Sequence, residues 1–132
     1  MASILKVDEM QGVTSAGDIT ITGEGGSATM QLQQGLAKAW ANYTTNTSTA
    51  INGSGSFNVS SLTDNGTGDT VVVFTSAMAN DDFSYYGMNN SASAGASGSQ
   101  KTTSQCRQVT YNSSIALADT NEISTSVDGD LA

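Results

Sequence analysis

The 132-residue chain has no histidine, one cysteine, and four lysines and arginines against twelve aspartates and glutamates, for a formal net charge of −8. Each shortage closes a class of function. Without histidine, no Ser-His-Asp or Cys-His relay can form. Cys106 has no second cysteine to pair with, so there is no internal disulfide framework. Lys6, Lys38, Lys101 and Arg107 are scattered along the chain, whereas grip on a phosphate backbone draws on several cations clustered on one face. Nucleic acid is therefore not an expected partner. No apolar run reaches the ~18 residues of a membrane-spanning helix, so membrane insertion is not expected. The N-terminus lacks the charged and apolar regions of a signal peptide, which fits synthesis in a cytoplasm without signal-directed export.

Large aliphatic and aromatic residues are also scarce. Leu, Ile, Val and Phe together number 23 of 132, below the ~20% at which a chain begins to struggle for a core. Ser, Thr, Asn, Gly and Ala fill the rest, residues that suit strands and turns and suit helices poorly. Two outcomes fit a thin core: partial disorder, or burial against other copies or another protein.

What is present reads as short strands between turn signals. The clearest is SFNVSSLTDNGTGDTVVVF, residues 56–74. Phe57, Val59 and Ser61 alternate with Asn58, Ser60 and Leu62, and Asn65-Gly66 predicts a type I′ turn. Val71-Val72-Val73-Phe74 does not alternate, which predicts a strand covered on both faces. Further strands are expected at Ile4–Val7, over 17–23, 83–88 and 101–111, and over Glu122–Val127. Residues 28–43 stay ambiguous. Leu32, Leu36, Trp40 and Tyr43 fall at helical spacing, yet from Ala37 onward alternation is equally readable. Residues 44–55 and 89–100 read as polar loops. Trp40 reads as a packing residue rather than a stacking platform. The pattern predicts an all-β chain: an antiparallel, jelly-roll-like β-sandwich over 36–132, preceded by an N-terminal arm or stem over 1–35.

Catalytic and metal chemistry find no support, and no cofactor is expected. Asp81-Asp82, the Asp64 and Asp69 pair around the hairpin tip, and Asp128 with Asp130 could offer oxygen ligands. None follows the EF-hand order, and Asp at turns serves its own backbone. Cys106 next to Arg107 lacks a base and reads as an inert thiol. The seven N-x-[ST] matches reflect composition rather than glycosylation.

Three stretches carry a resemblance: GLAKAWANY at 35–43, SFNVSSLTDNGTGDTVVVFTSAMANDDFSYYGM at 56–88, and the closing VDGDLA. Together they resemble the C-terminal tip domain of tailed-bacteriophage tail fibres and related virion appendage proteins. The opening MASILKVDEM is similar to the start of short marine-phage appendages. The resemblance implies a homotrimeric virion protein, held to the particle by its N-terminus and presenting a β domain. On that reading Ile4, Leu5 and Val7 would anchor to other virion proteins of tail or head. Phe57, Val59, Val71, Val73 and Phe74 would meet at the oligomer interface. Tyr85 and Tyr86 would be candidates for contact with a host-surface glycan or protein, although packing within a strand explains them as well. The expected function is non-enzymatic host attachment. Capsid decoration is the alternative, and a polysaccharide-degrading tail protein a more distant one.

Overall fold

The computed structural model describes residues 5–11, 19–22, 26, 29–32, 35–89 and 96–130. All regular structure among them is β, in three antiparallel sheets. The chain divides into two compact units, Met1–Leu36 and Ala37–Ala132.

In the first unit, β1 (Thr20–Thr22) pairs with β2 (Thr29–Gln31), with Ile21 opposite Met30. The amide of Leu32 closes the ribbon on the carbonyl of Ile19 at 2.7 Å. Ile21 and Met30 are both exposed, so this ribbon seals no core of its own. The predicted strand at Ile4–Val7 does not form over its described part: residues 5–11 have no regular structure, and Ile4 lies outside the described residues.

The second unit is a sandwich of two four-stranded sheets. One has the order β4-β3-β10-β7, from β4 (Ala50–Phe57), β3 (Ala37–Thr44), β10 (Ile123–Asp128) and β7 (Ser84–Asn89). The other has the order β5-β6-β9-β8, from β5 (Val59–Gly66), β6 (Asp69–Phe74), β9 (Gln105–Thr110) and β8 (Ala96–Thr102). Among its described residues, the ambiguous stretch at 28–43 forms β2 and β3 and no helix. The first sheet contributes Ala39, Ala41, Tyr43, Ile123 and Val127 to the core, and the second contributes Val72, Phe74 and Cys106. Met78 and Phe83, from the connection between β6 and β7, close one end. Phe83 meets Phe74 edge-on at 5.7 Å between ring centres, a favourable quadrupole geometry. This core belongs to one chain. Small residues make it possible: Ala39 and Ala41 let the sheets approach, so fewer large side chains are needed to fill the gap.

Three expectations change. The valine run does alternate: Val72 and Phe74 point inward, while Val71 and Val73 point outward and are half-buried. Their cross-strand neighbours are Thr63 and Arg107 for Val71, and Ser61 and Gln105 for Val73. Long polar stems flank the valines there, and a second sheet is not needed. Second, strand enters both expected loops, since β4 begins at Ala50 and β8 runs from Ala96, with residues 90–95 outside the described ones. β8 holds its place through pairing with β9, which polar composition did not foretell.

Third, the expected hairpin is broken and shifted. Phe57 and Val59 belong to different sheets. At Asn58 the backbone takes φ 55° and the chain crosses from the first sheet to the second. The Asn58 amide Nδ2 donates to the carbonyls of Lys38 (3.0 Å) and Ser76 (3.1 Å), and its Oδ1 accepts from the Ser76 amide at 2.7 Å. The tight turn lies at Thr67-Gly68, two residues beyond Asn65-Gly66, because tertiary contacts select it. Gly68 has φ 67°, its amide donates to Asp119 Oδ1 at 2.7 Å, and its carbonyl accepts from the Thr110 amide at 2.8 Å. A Cβ on Gly68 would stand 2.6 Å from backbone atoms of Thr110 and Ala118, so glycine is required twice over.

Candidate recognition face

Strand alternation makes the outer side of the first sheet. With Ala39, Ala41 and Tyr43 pointing in, Trp40 and Asn42 must point out. The register then sets Phe57 of β4 opposite Trp40 of β3, Trp40 opposite Ser126 of β10, and Ser126 opposite Tyr86 of β7. One cross-strand row thus reads Phe57, Trp40, Ser126, Tyr86. Trp40 is 42% exposed, Phe57 51% and Tyr86 59%. Two residues along, Asn42, Ser124 and Met88 form the next row, with Met88 also exposed.

This second row is polar and pre-set. Asn42 Nδ2 donates to Glu122 Oε1 at 2.8 Å and to Ser124 Oγ at 3.0 Å. Asn42 Oδ1 accepts from Asn52 Nδ2 at 2.7 Å. Asn52 reaches that position because β4 bulges between Ile51 and Ser56, with Gly53 at φ 58°. An aromatic row therefore lies beside an amide, a hydroxyl and a carboxylate whose orientations are already fixed.

The residues singled out from sequence separate on this framework. Tyr86 lies on the outer face. Tyr85 points inward, packs against the core and donates its hydroxyl to the Arg107 carbonyl at 3.0 Å. The five expected interface residues do not form one patch. Phe57 is on the outer face of the first sheet, and Val71 and Val73 are on the outer side of the second. Val59 packs partly against the core, and Phe74, 5% exposed, lies inside it. Leu5 and Val7 are exposed. Trp40 is corrected from a packing residue to a face residue, and Met88 was missed. The signal for Trp40 was the alternation with Ala39, Ala41 and Tyr43, which helical spacing at Leu32 and Leu36 obscured; for Met88 it was the shared parity with Tyr86.

The outer side of the second sheet holds an open depression of about 350 Å³ between Thr63, Asn65, Val71, Gln100, Gln105 and Arg107. Arg107 is already engaged there, with Nε on Asp69 Oδ1 at 2.7 Å and Nη2 on Asp69 Oδ2 at 2.5 Å. The Arg107 hydrogen bonds hold the Asp69 carboxyl below the usual carboxylate range. A carboxyl with a depressed folded pKa contributes stability above its unfolded pKa. That contribution is lost as pH falls through the lower, folded value. Acid unfolding should therefore steepen in the acidic range below ordinary carboxylate titration. Asp69→Asn should flatten that part of a pH–Tm profile, and an unchanged profile would show the pair to be inert.

Cys106 is fully buried, and burial pushes its thiol up to about 12. A thiol reagent should leave the native chain unlabelled and modify one equivalent in denaturant; rapid native labelling would show that the core opens. Of the expected turn carboxylates, Asp64 does serve its turn, its Oδ1 accepting from the Gly66 amide at 2.8 Å; at 80–82 the Asn80 Oδ1 does so instead, accepting from the Asp82 amide at 2.9 Å, and Asp69 is engaged by Arg107. Among the described residues, no three Asp, Glu or Cys side chains converge as metal ligands would.

Comparison with protein-family models, curated proteins and solved structures finds no match to this chain.

Proposed function

We propose that this chain is a non-enzymatic structural protein of a phage virion, a short tail fibre or tip. It attaches to the particle through its N-terminal residues and presents the β-sandwich for recognition of the host surface. The observation that carries this reading is the row Phe57, Trp40, Tyr86. Three large rings stand in water on a sandwich that has already closed a core of its own. Aromatic side chains left exposed together favour a binding surface over a packing one.

The exposed apolar residues Leu5 and Val7 suit docking on a neighbouring virion protein. Self-association into a trimer moves to the first unit in this reading. The sandwich does not need partners for its core, whereas the β1–β2 ribbon leaves Ile21 and Met30 uncovered and gains most from pooling copies.

Antibody labelling of the chain on intact particles tests the assignment. Label at the tail is expected. Label on the head would favour capsid decoration, and absence from purified particles would overturn both.

A further inference from the structure

Resting on the reading of the outer face as a recognition surface, we infer that it binds a neutral oligosaccharide, stacked on Trp40, Phe57 and Tyr86 and hydrogen-bonded by the Asn42–Ser124–Glu122 group. Three features of the face select this ligand class.

The first is the pairing of chemistries. A pyranose ring offers a C–H face to an aromatic ring and vicinal hydroxyls at its rim. The aromatic row supplies the stacking surface. Beside it the Asn42 amide uses both its N–H groups to hold the Glu122 carboxylate at 2.8 Å and the Ser124 hydroxyl at 3.0 Å, so those two groups meet a ligand with little further ordering.

The second is charge. The aromatic row carries none, the polar row carries the Glu122 carboxylate, and the whole chain stands at −8. An acidic glycan would meet repulsion, and a neutral one meets no such penalty.

The third is size. Phe57 and Trp40 lie on adjacent strands, and Tyr86 lies two strands beyond with Ser126 between. At about 4.8 Å per strand, the rings span about 15 Å, enough for a few sugar residues in line. The rings form a single line across four strands, a shape that suits a slender ligand lying along it.

Trp40 is the chain's single tryptophan and lies within the site. Its fluorescence, excited selectively over tyrosine, reports binding directly. The 132-residue chain would be titrated with neutral oligomers of glucose, xylose, mannose and N-acetylglucosamine, and with uronic-acid oligomers for comparison. A saturable change with at least one neutral oligomer is expected, and none with the acidic ones. Tyr86→Ala and Phe57→Ala should each weaken it about tenfold or more. Val73→Ala, on the opposite sheet, should leave it unchanged. No change with any neutral oligomer at millimolar concentration would overturn the assignment. So would a signal that tracks protein concentration alone, which marks self-association. Attachment of the protein to host cells that Tyr86→Ala abolishes but no neutral oligomer competes would overturn the ligand class while leaving the recognition face standing.

Discussion

Phe74→Ala should cost about 3–5 kcal/mol, the usual range for truncating a buried phenylalanine, while Phe57→Ala should change stability by no more than about 0.5 kcal/mol. Both are phenylalanines at the ends of β-strands in the same stretch of chain. Their difference comes from the side of the sheet on which each falls. Phe74 is enclosed by the chain's own core and stacks edge-on against Phe83, which in turn lies 6.0 Å from Tyr85. Removing its ring leaves a cavity between two sheets pinned by their ladders, so collapse to fill it is limited. Phe57 stands half in water and touches its neighbours from outside. For a domain of this size, each kcal/mol lowers Tm by roughly 4–8 °C. Thermal melts of the two variants would therefore differ by well over 10 °C on those estimates. Equal losses would mean that Phe57 is buried in solution, against another copy or by a rearranged sheet.

The second large effect is expected at Asn58. This residue holds a left-handed φ and three side-chain hydrogen bonds, and it turns the chain from one sheet to the other. Asn58→Ala removes the bonds, each worth about 0.5–1.5 kcal/mol, and keeps a Cβ where the backbone disfavours one. A loss of about 2–4 kcal/mol is expected, set by the three lost bonds. Asn58→Gly relieves the backbone and should be milder, whereas Asn58→Val adds a β-branched side chain at positive φ and should be the worst. The order Gly, Ala, Val in chemical denaturation checks both contributions. A tolerated valine would contradict the corner geometry.

Asn58 also shows what sequence reading could not reach. The stretch Phe57-Asn58-Val59 keeps an alternating pattern through the corner, so period alone continues the strand. The crossing depends on carbonyls of Lys38 and an amide of Ser76, 20 and 18 positions away in sequence, which no local pattern encodes. The same cause shifted the turn from Asn65-Gly66 to Thr67-Gly68: contacts with Thr110, Ala118 and Asp119 outweigh intrinsic turn preference. The strands of the second unit were largely legible because their turn residues and β-prone runs agree. The alternation of Cys106, Gln108 and Thr110 against Arg107 and Val109 was legible as well, and the first three do point inward. The scarcity of large apolar residues was read as a need for partners. It missed that Ala39 and Ala41 at the sheet centre, and Gly87 facing the buried Gln108 side chain, narrow the gap to be filled.

The candidate face was half visible. Tyr86 was singled out, but together with Tyr85, which alternation sends inward. Trp40 and Phe57 were noted for packing and for an interface. Only the register of four strands places them in one row with Tyr86, and register between residues 17 to 86 positions apart is not written in any short window.

The outer face is free for recognition because the sandwich closes its core without help. Residues 37–132, expressed alone, provide the most direct measurement: solution mass by sedimentation, together with a thermal melt. One chain per particle and a single cooperative transition are predicted, with any trimer appearing only when residues 1–36 are present. A fragment that stays unfolded when alone, or folds only as a multimer, would show that the inward faces need another subunit and would remove the basis for reading the outer face as a surface kept free for recognition.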